Sequence, residues 1–218
     1  CTPDFLRFSR FCRYDTAYSP DRRMLTRFRT TVLLSALILM TLVSSACGGD
    51  VPESAPFDPQ SSALGVIAIS SPAFGDGESI PVEFSCDGAG ISPPLRWSDP
   101  PTGTKALAII VDDPDAPGRI FRHWSIFNIP SGTRSLREGL GDSAQLENSM
   151  QQGLNDFGEI GYAGPCPPGG QEHEYEFFIY ALSEQLELPV DADAVAITAA
   201  IRGRVLATGS FSGTYARQ

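Results

Sequence analysis

From Gly65 to the C-terminus the sequence predicts an all-β domain, a sandwich of strands with one helix packed at its side. Five short runs rich in apolar and β-branched residues, at 66–70, 106–111, 124–129, 175–182 and 205–215, are each bounded by Gly, Pro, Asp or Ser. The connections between them are long and rich in Pro and Gly, and only one segment late in the chain has helical spacing. A parallel α/β topology would need more helices than that.

The run Ala106-Leu-Ala-Ile-Ile-Val111 is apolar throughout, as expected of a central strand covered on both faces. Tyr175-Glu-Phe177 alternates at the start of its run, the pattern of a half-solvated strand. The helix is expected over 194–202: Asp193 can cap it, Ala194, Ile197 and Ile201 share one stripe, and Gly203 is placed to stop it. With no internal repeat and no second linker, residues 65–218 read as a single domain.

The chain has 218 residues and a formal charge of −10, unevenly spread. Residues 1–46 carry seven Arg and three acids, whereas the remainder carries nine basic and 23 acidic groups, with Lys105 its only lysine. A body that acidic lacks the clustered cations that displace counterions from a phosphate backbone, so nucleic-acid binding is excluded. No residue between Arg29 and Asp50 is charged, and the apolar stretch Val32 to Val43 is too short to span a bilayer comfortably. Met24, the cations Arg27 and Arg29, that stretch, and the small residues Ser44, Ser45 and Ala46 before Cys47 have the layout of an export signal over 24–46. Residues 1–23 then read as an upstream extension outside the fold. The small-residue run ending at Cys47 is similar to the lipobox of bacterial lipoproteins, which makes Cys47 the expected lipidation site and the membrane a partner through the anchor. Ser44 stands where Leu is usual, which keeps plain secretion and an uncleaved anchor as alternatives. Residues 47–64, rich in Gly, Pro, Ser and acids, have the composition of a flexible tether.

Of the five cysteines, Cys1 and Cys12 precede Met24 and Cys47 ends the signal, which leaves Cys86 and Cys166. In an oxidising compartment they can pair; as free thiols they would behave as small buried apolar groups. The domain has two histidines. His123 opens one strand, and His173 follows the turn-rich segment Gly161-Tyr-Ala-Gly-Pro-Cys-Pro-Pro-Gly-Gly170. A third cluster, Asp112, Asp113 and Asp115, follows the apolar strand, where Pro114 and Pro117 stiffen the chain. Each cluster taken alone is most simply an ordinary turn.

Together they form a recognisable set. Ser71-Pro-Ala-Phe74, Ser85-Cys-Asp-Gly88, Ser92-Pro-Pro-Leu-Arg-Trp97, Asp113-Pro-Asp-Ala-Pro117, His123-Trp124, Asn155-Asp-Phe-Gly158, Gly161 to Pro168, and His173 with Tyr175 occur in that order. In these motifs the chain resembles the phosphatidylethanolamine-binding protein family, also called Raf kinase inhibitor-like, in its bacterial YbhB/YbcL-type branch. The resemblance implies an antiparallel β-sandwich with Greek-key character and one or two short helices. It also implies a small pocket for an anionic or zwitterionic ligand, such as phosphate or a phosphorylethanolamine head group. Its residues would be Asp113, Asp115, His123, His173 and Tyr175, with a wall at Gly164 and Pro165. One departure is Glu174, where family members commonly have Arg; alternation from His173 and Tyr175 would turn it outward.

Aspartates beside a phosphate need an offset, since like unit charges ~4 Å apart cost about 4 kcal/mol at an intermediate dielectric. Protonated His123 or His173, with a pKa raised by Asp113, is the expected source of positive charge, and backbone N–H groups of 161–164 could form an anion nest. The expected function is therefore an exported, lipid-anchored binding module without catalytic residues, metal or cofactor. The alternatives are a protease or kinase inhibitor-like regulator, and a metal-dependent hydrolase with ligands from three separate segments.

Overall fold

The computed structural model describes residues 65–217. The segments assigned above to 1–23, 24–46 and 47–64, with Cys47, lie outside them. The strands are β1 (Gly65–Val66), β2 (Ile69–Ser70), β3 (Glu78–Ser79), β4 (Leu95–Trp97), β5 (Ala106–Asp113), β6 (Phe121–Pro130), β7 (Ser135–Leu136), β8 (Gln151–Gln152), β9 (Glu172–Leu182) and β10 (Val205–Ala216); the helix α1 (Ala194–Ile201) precedes β10. A seven-stranded sheet has the order β1-β10-β9-β5-β6-β8 with β3 also on β10, and a three-stranded sheet has the order β2-β4-β7. The antiparallel stretch β9-β5-β6-β8 returns the fourth strand beside the first, a Greek key. Among the described residues, only the two-residue strands β1 and β3 pair in parallel, both with β10.

Both faces of the large sheet are covered, as the apolar run at 106–111 predicts. Leu107, Ile109 and Val111 pack in the inner core with Trp124, Ile126, Phe177 and Ile179, and with Leu95, Trp97 and Leu136 of the small sheet. Ala108 and Ile110 point the other way, into a second core with Phe127, Tyr180 and the α1 residues Ile197 and Ile201. The two isoleucines are fully buried, worth about 2 kcal/mol each. Asp193 caps the helix by accepting from the Ala196 N–H at 2.8 Å, and Gly203, at φ +77°, follows its end.

The run 66–70 differs from its expectation of one strand. Val66 pairs with Thr208 in the large sheet and Ile69 with Trp97 in the small one, so the chain changes sheets between them. The Ile67 carbonyl crosses directly over Gly209, where a Cβ would lie 1.7 Å from its oxygen. Only glycine accepts that crossing.

Candidate functional site

Three strands deliver the site. Asp113 ends β5, His123 lies near the start of β6, and His173 and Tyr175 lie two apart on β9, with Glu174 exposed between them. Alternation places Asp113 on the inner face with Val111. His123 reaches that face by an irregularity: Val111 pairs with Trp124 but Asp112 pairs with Arg122, so His123 is the extra residue of a β-bulge. In regular pairing, with Trp124 inward, His123 would face the helix side.

Asp113 is the hub. The His173 Nδ1–H donates to Asp113 Oδ2 at 2.8 Å, the Asp115 backbone N–H donates to Asp113 Oδ1 at 2.9 Å, and His123 Nε2 lies 4.0 Å from Asp113 Oδ2. His123 Nδ1 is 2.9 Å from the Ala163 carbonyl, which can only accept; Nδ1 therefore carries the hydrogen and Nε2 faces the hub. The His123 and Tyr175 rings meet edge to face at 5.1 Å, and His173 stacks on Tyr175 at 6.5 Å. Asp113, His123 and His173 are 3 to 4% exposed and Tyr175 is 1% exposed, so a ligand can reach only their edges.

The charge state of His123 differs from expectation. Burial lowers its pKa below the usual imidazole value, outweighing the Ala163 carbonyl and Asp113, so the ring is neutral at pH 7. Burial also raises the Tyr175 pKa, with Asp113 adding to the effect, so the phenol keeps its proton. The buried Tyr175 hydroxyl has no well-formed hydrogen bond; the Asp113 carboxylate and the Cys166 backbone N–H lie beside it in poor geometry.

The wall at 161–166 is pinned to the chain at 84–86. Cys86 and Cys166 form a disulfide, the Cys86 N–H donates to the Pro165 carbonyl at 3.1 Å, and the Tyr162 hydroxyl donates to the Phe84 carbonyl at 2.9 Å. Gly164 is required because a Cβ there would lie 2.5 Å from the Phe84 oxygen. The expected nest is partly spent: the Gly161 and Ala163 N–H groups donate to the Gly153 and His123 carbonyls.

Asp115 is exposed and does not join the hub with its side chain; it accepts from the Glu174 N–H at 2.9 Å and so ties the 113–117 turn to β9. Asp112 faces the helix side, where it pairs with Arg122. Missing from the sequence reading are the Ala163 carbonyl, which sets the His123 tautomer, and an aromatic rim. Phe121 contacts His123 at 5.1 Å and Phe157 at 4.7 Å, and Phe157 is 54% exposed. Asn155 holds that rim, its Oδ1 accepting from the N–H groups of Phe157 and Glu159. The Asn155-Asp-Phe-Gly motif was the available signal. Two open clefts, of about 700 and 760 Å³, lie elsewhere, one beside Tyr162 and the other beside Tyr215. Among the described residues no group of three or more His, Cys, Asp or Glu side chains is spaced to hold a metal ion.

Comparison with known proteins supplies the family. A profile described as phosphatidylethanolamine-binding protein matches residues 70–216. The chain belongs to the phosphatidylethanolamine-binding protein family. Within this family it is 45% identical over 145 residues to a UPF0098 protein of Methanothermobacter thermautotrophicus, covering 66% of this chain and 95% of the relative. It is 36% identical over 207 residues to Mycobacterium tuberculosis LppC, named as a lipoprotein candidate, covering 87% of this chain and all of that one. The crystal structure of Escherichia coli YbcL, described as a member of the mammalian PEBP family, superposes with a TM-score of 0.66 at 31% identity, covering 70% of this chain and 99% of YbcL. Chlamydia trachomatis CT736, a PEBP homolog, gives 0.64 at 39%, covering 70% and 99%.

Proposed function

We propose that this member of the family is a binding protein that holds a small phosphorylated ligand, phosphate or a phosphorylethanolamine-type head group, at Asp113, His123, His173 and Tyr175. The observation that carries this reading is the convergence on a single carboxylate of two imidazoles and one buried hydroxyl that lacks a well-formed hydrogen bond. A buried donor without an acceptor costs about 1 to 3 kcal/mol, and an arriving phosphoryl oxygen removes that cost. The Tyr175 O–H is a donor suited to an oxyanion, as is the Nε2–H of an imidazole that has taken up a second proton, while an ammonium group can rest toward Asp115 and Glu174 at the rim. His123 presents a lone pair at Nε2 when neutral, so an oxyanion there requires the ring to take up a proton. Binding therefore consumes protons and strengthens as pH falls. Gly164 and Pro165 serve as the wall against which the head group lies.

The export reading rests on the signal-like segment before Cys47 and on the name of the LppC relative. Lipidation at Cys47 would tether the domain to the outer side of a membrane. Mass spectrometry of the natively purified protein tests this, with an acylated Cys47 as the mature N-terminus the expected result and an unmodified terminus the contrary one. The ligand reading is tested by calorimetry with phosphorylethanolamine and inorganic phosphate between pH 5 and 8. Millimolar or tighter binding that weakens toward pH 8 and is lost in His123→Ala supports it; no heat from either compound in that range sinks it.

A further inference from the structure

On the helix side of the sheet, back to back with the Asp113 hub, lies a second buried polar group. Arg122 is 8% exposed. Its Nε pairs with Asp112 Oδ1, Nη2 donates to Asp112 Oδ2 at 3.2 Å and to Thr198 of α1 at 3.4 Å, and Nη1 donates to Ser125 at 3.1 Å. The Arg122 backbone is held as well: its N–H donates to Asp156 Oδ2 at 2.8 Å, and its carbonyl accepts from the Asp156 N–H at 2.9 Å. Arg119 closes the group, with Nη1 3.2 Å from the same carboxylate oxygen.

We propose that Arg122, with Asp112 and Asp156, is a positioning cluster that locks the one-residue bulge in β6 and thereby turns His123 into the site. The argument is one of parity. Regular pairing through this stretch, with Trp124 kept inward, would bring Arg122 to the inner apolar face and send His123 to the helix side. In that register Arg122 would stand across from Asp113, displacing the imidazoles from it and giving up Asp112, Ser125 and Thr198, so the guanidinium fork that these three groups satisfy together favours the bulged register. A buried ion pair is a poor source of net stability, since apolar residues of similar volume often replace one without loss. What the pair supplies is register, and register decides which way the imidazole points.

The inference deepens the ligand reading but has a readout of its own. The test is the double variant Arg122→Met/Asp112→Leu, which removes both charges together and leaves neither unpaired. Nitrogen-15 NMR of the imidazoles reports the His123 tautomer and titration without ligand, and inorganic phosphate serves as the binding probe. In the folded double variant the Nδ1–H bonded to Ala163 is lost, the His123 midpoint rises toward that of a solvated imidazole, and phosphate affinity drops at least tenfold. An unchanged tautomer and midpoint in a folded variant overturns the proposal, because a merely structural pair would leave both alone. If the double variant does not fold, the neutral polar pair Arg122→Gln/Asp112→Asn decides: it removes the cation and its counter-charge together and loses the fork, and the same changes are expected, with an unmoved His123 spectrum the refuting result. Failure of the wild type to bind phosphate would count against the ligand reading and leave the ring readout standing.

Discussion

Replacing Tyr175 by Phe separates what its hydroxyl does for the fold from what it does for a ligand. The hydroxyl is buried without a well-formed hydrogen bond, so its removal relieves a desolvation cost of about 1 to 2 kcal/mol without opening a cavity, because the ring stays. Tyr175→Phe is therefore expected to be as stable as the wild type or more so. With a urea slope of about 2 kcal/mol/M for a domain of this size, the midpoint would rise by about 0.5 to 1 M. Binding should move the other way. A hydrogen bond to a charged oxygen contributes about 1.5 to 3 kcal/mol, so phosphate affinity should fall by about ten- to a hundredfold. The assay is paired: urea unfolding by fluorescence with the disulfide intact, and calorimetry with phosphate at pH 6. A variant destabilised by more than about 1 kcal/mol would mean that the hydroxyl already has a structural partner, and a stabilised variant with unchanged affinity would mean that it does not meet the ligand.

Other outcomes follow from the same geometry. The Cys86–Cys166 bond joins residues 80 apart, for which chain entropy gives about 4 to 5 kcal/mol; Cys86→Ser/Cys166→Ser should lose roughly that much in chemical unfolding, and a loss under about 1 kcal/mol would contradict the estimate. Because His123 is held neutral in the fold, the unfolded chain binds its proton more readily: the stability tied to this group is complete above about pH 6.5 and falls as the pH drops toward its folded pKa, by at most about 1.4 kcal/mol per pH unit. Comparison of wild type with His123→Gln across pH 4 to 8 should show that slope only in the wild type. Gly209→Ala places a methyl group against the Ile67 carbonyl and should cost about 3 kcal/mol or prevent folding; a wild-type melting temperature would show that β1 does not cross there.

Much of the fold was legible in local chemistry. The unbroken apolar run at 106–111 can be satisfied only by a strand with cover on both faces, and Asp193, Ile197, Ile201 and Gly203 mark a capped, one-sided helix. The change of sheets within 66–70 was not, because it depends on Gly209, distant in sequence, leaving room for a carbonyl. In the site, the His173-Glu-Tyr175 alternation indicated which residues of that strand face inward, while Asp113 entered through the family resemblance of the Asp-Pro-Asp-Ala-Pro turn. The orientation of His123 was hidden: the strand period around Trp124 puts it on the wrong face, and the bulge that corrects this follows from the pairing with β5. Its charge was hidden for a related reason. An aspartate nearby in sequence suggests a raised pKa, whereas the depth of burial, which a single strand does not disclose, reverses the sign. Asp115 shows the limit of motif spacing, since two residues beyond Asp113 its carboxylate serves the Glu174 backbone rather than the hub.

The most direct measurement is a nitrogen-15 NMR titration of both imidazoles with phosphorylethanolamine at pH 6. One shared site predicts that the Nε2 signals of His123 and His173 move together, with a single saturation curve, and that Tyr175→Phe shifts that curve to higher concentration without altering its shape. Response of only one ring, different midpoints for the two, or silence from both would contradict it.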